Sequence, residues 1–357
     1  MINSMSNSGA LSTPTVAARG DGAADLEAHR VALTGHCYRM LGSVADADDA
    51  VQETMVRAFR ARSQFDGRST LRTWLLRIAT RVCLDALSHR KRRVQPMALS
   101  APGTIHDELA MWPASHWVEP IADACAVPSD SDPAQQSVLR QSIRLAFVAA
   151  VQWLPPRQRA ALLLTDVLDF SVAETADTLG MTVAAVNSAL QRARATLAAR
   201  GGGLDATTHA GAPPQAALSS VQTELLHRYV AAFERYDVDA LVALLRTDAT
   251  MAMPPFALWL RGQQDIHAWF LGRGAGCRGS RLLPTVACGC PAFGQYRVAV
   301  SARAQCIVPL SDEPSATHLP WSLIVLELGP DCIVHMDYFL DTPTLFPRFG
   351  LPPALTS

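Results

Sequence analysis

Apolar residues recur every three or four positions through two separate stretches, 26–93 and about 134–200, the period of amphipathic helices. In the first stretch Leu71, Trp74, Leu75, Ile78, Ala79 and Val82 form one stripe, with Thr73, Arg77, Thr80 and Arg81 opposite. Just upstream, Asp46, Asp48, Asp49 and Glu53 open a helix whose apolar positions include Val51, Met55, Val56 and Phe59. The last third changes character. Leu225, Leu226, Tyr229, Val230 and Phe233 predict a helix over 221–235, and Ile266, Trp269 and Phe270 predict a second. Strand-like runs follow at 295–309, 321–328 and 332–340, with Gly329-Pro330-Asp331 as the turn between the last two. The pattern predicts a multidomain chain: two all-α helical domains followed by an α+β domain.

The second helical stretch carries the sharpest local motif. Ser171 and Glu174 have the spacing of a capping box, which starts a helix. Ala176 is small where two helices must approach. Gly180, four residues on, suits a tight turn, Thr182 is a candidate N-cap, and Val186 is placed to anchor a second helix on the first. Small residue, turn glycine and buried aliphatic at these offsets predict a helix-turn-helix. Its second helix would expose Ala184, Ala185, Asn187, Ser188, Gln191, Arg192 and Arg194, short near the start and able to reach base edges or phosphates further along.

Charge placement adds to this. The 357 residues carry a net charge of only -1, so a nucleic-acid surface must come from local clusters. One such cluster is His89-Arg90-Lys91-Arg92-Arg93, which continues the Arg77/Arg81 face. The acids from Asp46 onward suit a helix N-terminus and would equally form a docking face for a basic partner. Residues 1–25 read as a disordered leader with no signal-peptide pattern. Residues 96–135 hold Pro96, Pro102, Pro113, Pro120, Pro128 and Pro133 with Asp107, Glu108, Glu119, Asp123, Asp130 and Asp132, and predict an extended acidic linker. Gly201 to Gly203 end the second helical domain, and 201–218 is a further linker. The resulting division is 1–25, 26–95, 96–135, 136–200, 201–218, 219–345 and a tail at 346–357. The 8 cysteines are scattered without zinc spacing, and no apolar run spans a membrane, so a reduced, cytoplasmic protein without metal or other cofactor is expected.

The order of motifs resembles the sigma-70 family of RNA polymerase sigma factors, in its extracytoplasmic-function group, over residues 33–93 and 140–200. The segment from Tyr38 to Thr54 is similar to the family's core-binding region. That resemblance implies docking of polymerase through Asp46, Asp48, Asp49, Gln52 and Glu53. The segment from Phe65 to Ala79 resembles its minus-ten reader. It implies capture of a flipped base by the loop at Phe65, Asp66, Arg68 and Ser69, and a grip on the opened strand through Thr73, Trp74, Arg77 and Arg81. Arg81 stands where the family often has Asn, so base preference does not carry over. Leu154-Pro-Pro-Arg-Gln-Arg and the helix-turn-helix resemble the minus-thirty-five reader, with Thr182, Ala184, Ala185, Asn187, Ser188, Gln191, Arg192 and Arg194 on duplex DNA. In the family the linker threads the polymerase channel later used by RNA, which its acids would mimic.

Residues 219–345 resemble the SnoaL-like polyketide-cyclase-type fold, a curved sheet wrapped into a cone. In some sigma factors such a domain is thought to regulate the sigma domains by intramolecular contact. His335 and Asp337 share one face of the last strand and, with Trp259, are candidates to line a pocket; Asp248 and His267 are further polar candidates. They are equally readable as satisfied structural groups. No nucleophile constellation or metal set accompanies them, so no catalytic residues are assigned. Two other readings of the whole remain open: an operator-binding regulator with a ligand sensor, and a cyclase-like enzyme fused to DNA-binding helices. The loop from Phe65 to Thr70 favours the sigma reading, because neither alternative has a use for it.

Overall fold

The computed structural model describes residues 22–88, 92–199, 218–299 and 317–356. The first module contains α1 (Gly22–Glu27), α2 (Arg30–Leu41), α3 (Val44–Arg60) and α4 (Leu71–Leu87). Each boundary has a local cause. α2 stops at Gly42, whose left-handed φ of 71° lets its amide return to the Tyr38 carbonyl. Ser43 caps α3 by accepting from the Asp46 amide, and Thr70 caps α4 by accepting from Thr73. Thr80, expected on the open face of α4, is instead buried. Its hydroxyl meets His36 Nε2 at 2.9 Å and donates to the Leu76 carbonyl.

Residues 96–135 are not the extended linker expected. They contain a short helix, α5 (Asp123–Ala126), and are pinned along their length. The Gly103 amide donates to the Trp259 carbonyl (2.9 Å), Trp112 to Pro255 (3.0 Å) and Val118 to Val94 (3.1 Å). The prolines withhold donors but do not prevent burial of Trp117, Val118 and Ile121, and these apolar side chains hold the segment down. The second module follows: α6 (Pro133–Ser142), α7 (Leu145–Val151), α8 (Pro156–Leu162), a wide π turn at Leu163–Val167, α9 (Val172–Leu179) and α10 (Val183–Ala199).

The third module has α11 (Ser220–Arg235), α12 (Val238–Val242), α13 (Gln263–Leu271) and α14 (Thr342–Arg348) around seven strands: β1 (Leu245–Ala252), β2 (Trp259–Arg261), β3 (Arg281–Ala287), β4 (Cys290–Val298), β5 (Thr317–Leu328), β6 (Ile333–Phe339) and β7 (Leu355–Thr356). The sheet order is β2-β1-β6-β5-β4-β3, with β7 on β5; β1 and β6 run parallel. α12, α14, β1, β2, β3 and β7 lie outside the predicted elements, and the expected strand at 295–309 is seen only as far as β4, since 300–316 lie outside the described residues. Alternation along β5 and β6 gives the sheet two buried faces. Ile324, Leu326, Met336 and Tyr338 pack under α11 and α13 with Tyr229 and Phe233. Leu323, Val325 and Phe339 belong to a second cluster, which is continuous with Leu33, Leu75, Phe147 and Val186 of the helical modules.

Candidate promoter-DNA and polymerase interface

The helix-turn-helix forms as its spacing predicts. Ser171 Oγ accepts from the Glu174 amide (3.2 Å) while Glu174 Oε2 accepts from the Ser171 amide (3.0 Å), and Gly180 turns the chain at φ 59°. Thr182 Oγ1 accepts from the Ala185 amide at 3.2 Å. Ala176 and Val186 are buried at the helix crossing. α10 therefore presents Thr182, Ala184, Asn187, Ser188, Gln191 and Arg192 to solvent, with Ala185 half-buried. Arg194 is exposed but committed: its Nε and Nη2 donate to the two carboxylate oxygens of Asp166 on the π turn, at 3.0 and 2.7 Å.

The segment expected to meet the minus-ten element lies at the start of α4. Phe65 is half-buried against Trp74, ring centroids 5.4 Å apart, so the loop carries its aromatic folded in. Asp66 and Arg68 pair with each other at 3.1 Å, Ser69 is half-buried, and Thr70 and Thr73 share a hydroxyl contact of 2.9 Å. Arg81 is open to solvent, whereas Arg77 is half-buried, with its charge helping to hold the Glu174 carboxyl below its usual range after the Ser171 hydrogen bonds. That coupling reflects packing of α4 directly on α8 and α9. Of the basic cluster, 89–91 lie outside the described residues. Arg93 points inward, pairing with Asp46 (3.0 Å) and Glu119 (3.3 Å), and Arg92 lies over the Trp153 ring at 4.1 Å.

The acidic face of α3 divides in the same way. Asp49 and Gln52 are exposed. Glu53 pairs with Arg57 at 2.7 Å, and Asp46 is half-buried on Arg93. Asp48 pairs at 2.6 Å with Arg348 of α14, three hundred positions along the chain. A second junction lies close by. Cys288 and Gly289, both at positive φ, form the β3–β4 hairpin tip, which sits against α2 and the 96–135 segment. The Cys288 amide donates to the Ile121 carbonyl (2.9 Å), Cys288 Sγ lies 3.7 Å from the Tyr38 hydroxyl, and the Gly289 amide donates to Asp123 Oδ1 (2.8 Å). A Cβ at Gly289 would lie 2.7 Å from the Arg140 carbonyl oxygen, so only glycine fits there. Burial pushes Asp123 up and the Cys288 thiol far above its usual range, so that thiol stays protonated.

The polar candidates of the third module each pair within their own neighbourhood. His335 and Asp337 form an ion pair at 3.0 Å on the face of β6 opposite Met336 and Tyr338, and His335 Nδ1 meets Thr250 Oγ1 at 2.7 Å. Burial opposes the imidazolium, but the Asp337 carboxylate outweighs it and holds His335 at about 9. Trp259 is buried with its indole N–H donating to the Ser100 carbonyl (3.0 Å). Asp248 pairs with Arg246, and His267 with Asp239 at 2.8 Å. His335 Nε2 makes no hydrogen bond beyond its ion-pair contact with Asp337, and none of Trp259, His335 and Asp337 is among the residues lining the cavity on the Met336 and Tyr338 side of the sheet. The described residues contain no cluster able to hold a metal ion, and no helix long and apolar enough to cross a membrane. Reading by sequence missed Arg348 and Cys288 and took Glu119 only as one acid of a linker; all three act through partners distant in the chain.

Comparison with known proteins agrees with this layout. Residues 26–93 match Sigma-70 region 2, 144–197 match Sigma-70, region 4, and 221–324 match the nuclear transport factor 2 (NTF2) domain. The fold and its DNA-reading modules are those of a sigma factor, a non-enzymatic initiation factor that directs polymerase to promoters. More particularly, the chain belongs to the family of ECF RNA polymerase sigma factors. It is 43% identical to the ECF RNA polymerase sigma factor SigG of Mycobacterium tuberculosis over 346 residues, covering 94% of this chain and 85% of that one. It is 28% identical to SigJ of the same organism over 259 residues, 70% of this chain and 72% of that one. The crystal structure of SigJ shares the fold, with a TM-score of 0.56 at 22% identity over 92% of this chain and 99% of that one.

Proposed function

We propose that the arrangement described here is a latent state of the sigma factor, in which the third domain covers the face of α3 that docks core polymerase in the cytoplasm. The carrying observation is the Arg348–Asp48 pair, which places a cation of α14 on an acid of the proposed docking face. The packing of α4 on α8 and α9 supports the same reading. Elements centred ten and thirty-five pairs upstream are separated by about 25 steps, or roughly 85 Å at 3.4 Å per step. Two readers in contact cannot reach both. Core polymerase would therefore displace α14 and let the modules separate, so that Phe65 and Arg81 reach the opened strand while Asn187, Gln191 and Arg192 reach duplex.

The test is run-off transcription with purified core polymerase and the full chain, comparing wild type with Arg348→Glu. Exposed pairs are worth about 0.2–1 kcal/mol, and reversal adds repulsion, so roughly a two- to tenfold gain in transcript at limiting sigma is expected. An unchanged or lower yield would reject the latent-state reading.

A further inference from the structure

A cavity of about 250 Å³ lies within the third domain, on the face of the sheet turned away from His335 and Asp337. Met251, Met253, Phe256, Trp269, Phe270 and Tyr338 supply apolar walls. A dry cavity of ~150 Å³ takes a benzene ring, so this one has room for one or two fused rings. The polar part of the lining is uneven in sign. Arg273 and Arg297 are both there, and no carboxylate is present among the described residues of the lining. Cys277 adds no negative charge, since burial raises its thiol pKa. The Tyr338 hydroxyl, 3.3 Å from that of Tyr229, is pushed well up by burial and stays neutral.

The arginines are held in place. Arg297 lies over the Trp321 ring, 4.0 Å from its centroid. Its Nη2 is 2.1 Å from where a Cβ at Gly276 would be, so the missing side chain there makes room for the guanidinium. Arg273 Nη1 donates to the Asp107 backbone carbonyl at 2.7 Å, which leaves its charge without a carboxylate partner in that bond. Asp107 belongs to the segment joining the two sigma modules, and from the same segment Leu109 forms part of the cavity wall.

We propose that this cavity is a binding site for a small apolar ring compound bearing one anionic group, with the anion between Arg273 and Arg297. Because Leu109 lines it and the Asp107 carbonyl holds Arg273, occupancy is coupled to the segment that tethers the sigma modules. The coupling deepens the latent-state reading; the binding itself is independent of it. Charge-assisted hydrogen bonds to a carboxylate in a part-buried site strengthen binding about tenfold or more over a neutral isostere.

The full chain is titrated by calorimetry with 2-naphthoate, with the neutral 2-naphthalenemethanol, and with the cationic 2-naphthylmethylammonium. The anion should bind at least ~tenfold more tightly than the alcohol, and the cation weakest. Arg273→Met and Gly276→Ala should each erase the preference while leaving alcohol binding in place, which separates lost charge recognition from lost folding. Equal affinity for all three, or no binding by any, would overturn the site. Hydrogen exchange of the Trp112 amide, which donates to Pro255 at 3.0 Å, reads the coupling. It should slow on adding 2-naphthoate; binding with no change there would overturn the coupling but leave the site. Neither readout requires polymerase, so failure here is distinguishable from failure of Arg348→Glu in transcription.

Discussion

Arg159 ends the Leu154-Pro-Pro-Arg-Gln-Arg run and is 3% exposed. Its Nη1 donates to the Met40 carbonyl at the end of α2 and to Gln152 Oε1 (2.6 Å), and its Nη2 to the Gln152 and Leu154 carbonyls (2.9 and 3.3 Å). One side chain thus ties the first sigma module to the second. Burial, with Arg92 nearby, lowers its pKa to about 10, so it remains charged at neutral pH. The Met40 carbonyl has little alternative, because the Val44 amide that would follow it donates to Glu119 instead (2.9 Å). Arg159→Met removes the cation but strands these acceptors, and breaking one side of such a buried charged set costs about 3–5 kcal/mol. At roughly 2–4 °C per kcal/mol for domains of this size, the helical transition should fall by about 10 °C. The control is Arg39→Met. Arg39 is equally buried, donating to Ser142 Oγ (2.6 Å) and the Leu139 carbonyl (3.0 Å), but those two groups already bond each other at 2.8 Å. Its loss should be near neutral. Thermal melts followed by circular dichroism decide between them: an Arg159→Met transition within about 2 °C of wild type, or an Arg39→Met fall as large as that of Arg159→Met, would refute the argument from stranded acceptors.

Two further outcomes are expected. His335 is raised on folding from 6.5 to about 9, so its contribution is full below pH 6.5 and is lost as pH rises through 9. On the order of 3 kcal/mol should disappear over that window, and His335→Gln should flatten the urea-midpoint profile there; an unchanged slope would show that the His335–Asp337 pair carries no such linkage. On minus-thirty-five duplex, Arg192→Ala should reduce the slope of log K against log salt by about 0.9, the loss of one phosphate contact. Arg194→Ala should leave it unchanged because Asp166 already holds that guanidinium; the reverse result would exchange their roles.

Much of this protein follows from local rules. The capping box at Ser171, the left-handed turn at Gly180 and the burial of Val186 are short-range consequences of side-chain type and spacing, so the helix-turn-helix was legible in the sequence. So were the amphipathic stripe of α4 and the alternation of β5 and β6, because period alone assigns residues to faces. Period does not say which buried face is which. His335 and Asp337 were correctly paired on one side of β6, yet that side packs toward the sigma helices while the cavity lies on the other. The acidic segment at 96–135 misled for a related reason. Its prolines and charges suggested an exposed strand of chain, but Val118 and Ile121 join an apolar cluster drawn from all three modules, and Trp117 is buried beside Trp112. Arg348 and Arg297 carry no local signature, and the run that ends in Arg159 does not reveal its burial; each has its role from an acceptor or an aromatic ring brought near by the tertiary fold. The sequence by itself determined the helix-turn-helix, the α4 stripe, α11, α13 and the last two long strands, which depend on neighbours within a few residues. Only the tertiary structure decided which acids of α3 are free, which arginines are committed and where the cavity opens, because these depend on contacts whose geometry no spacing encodes.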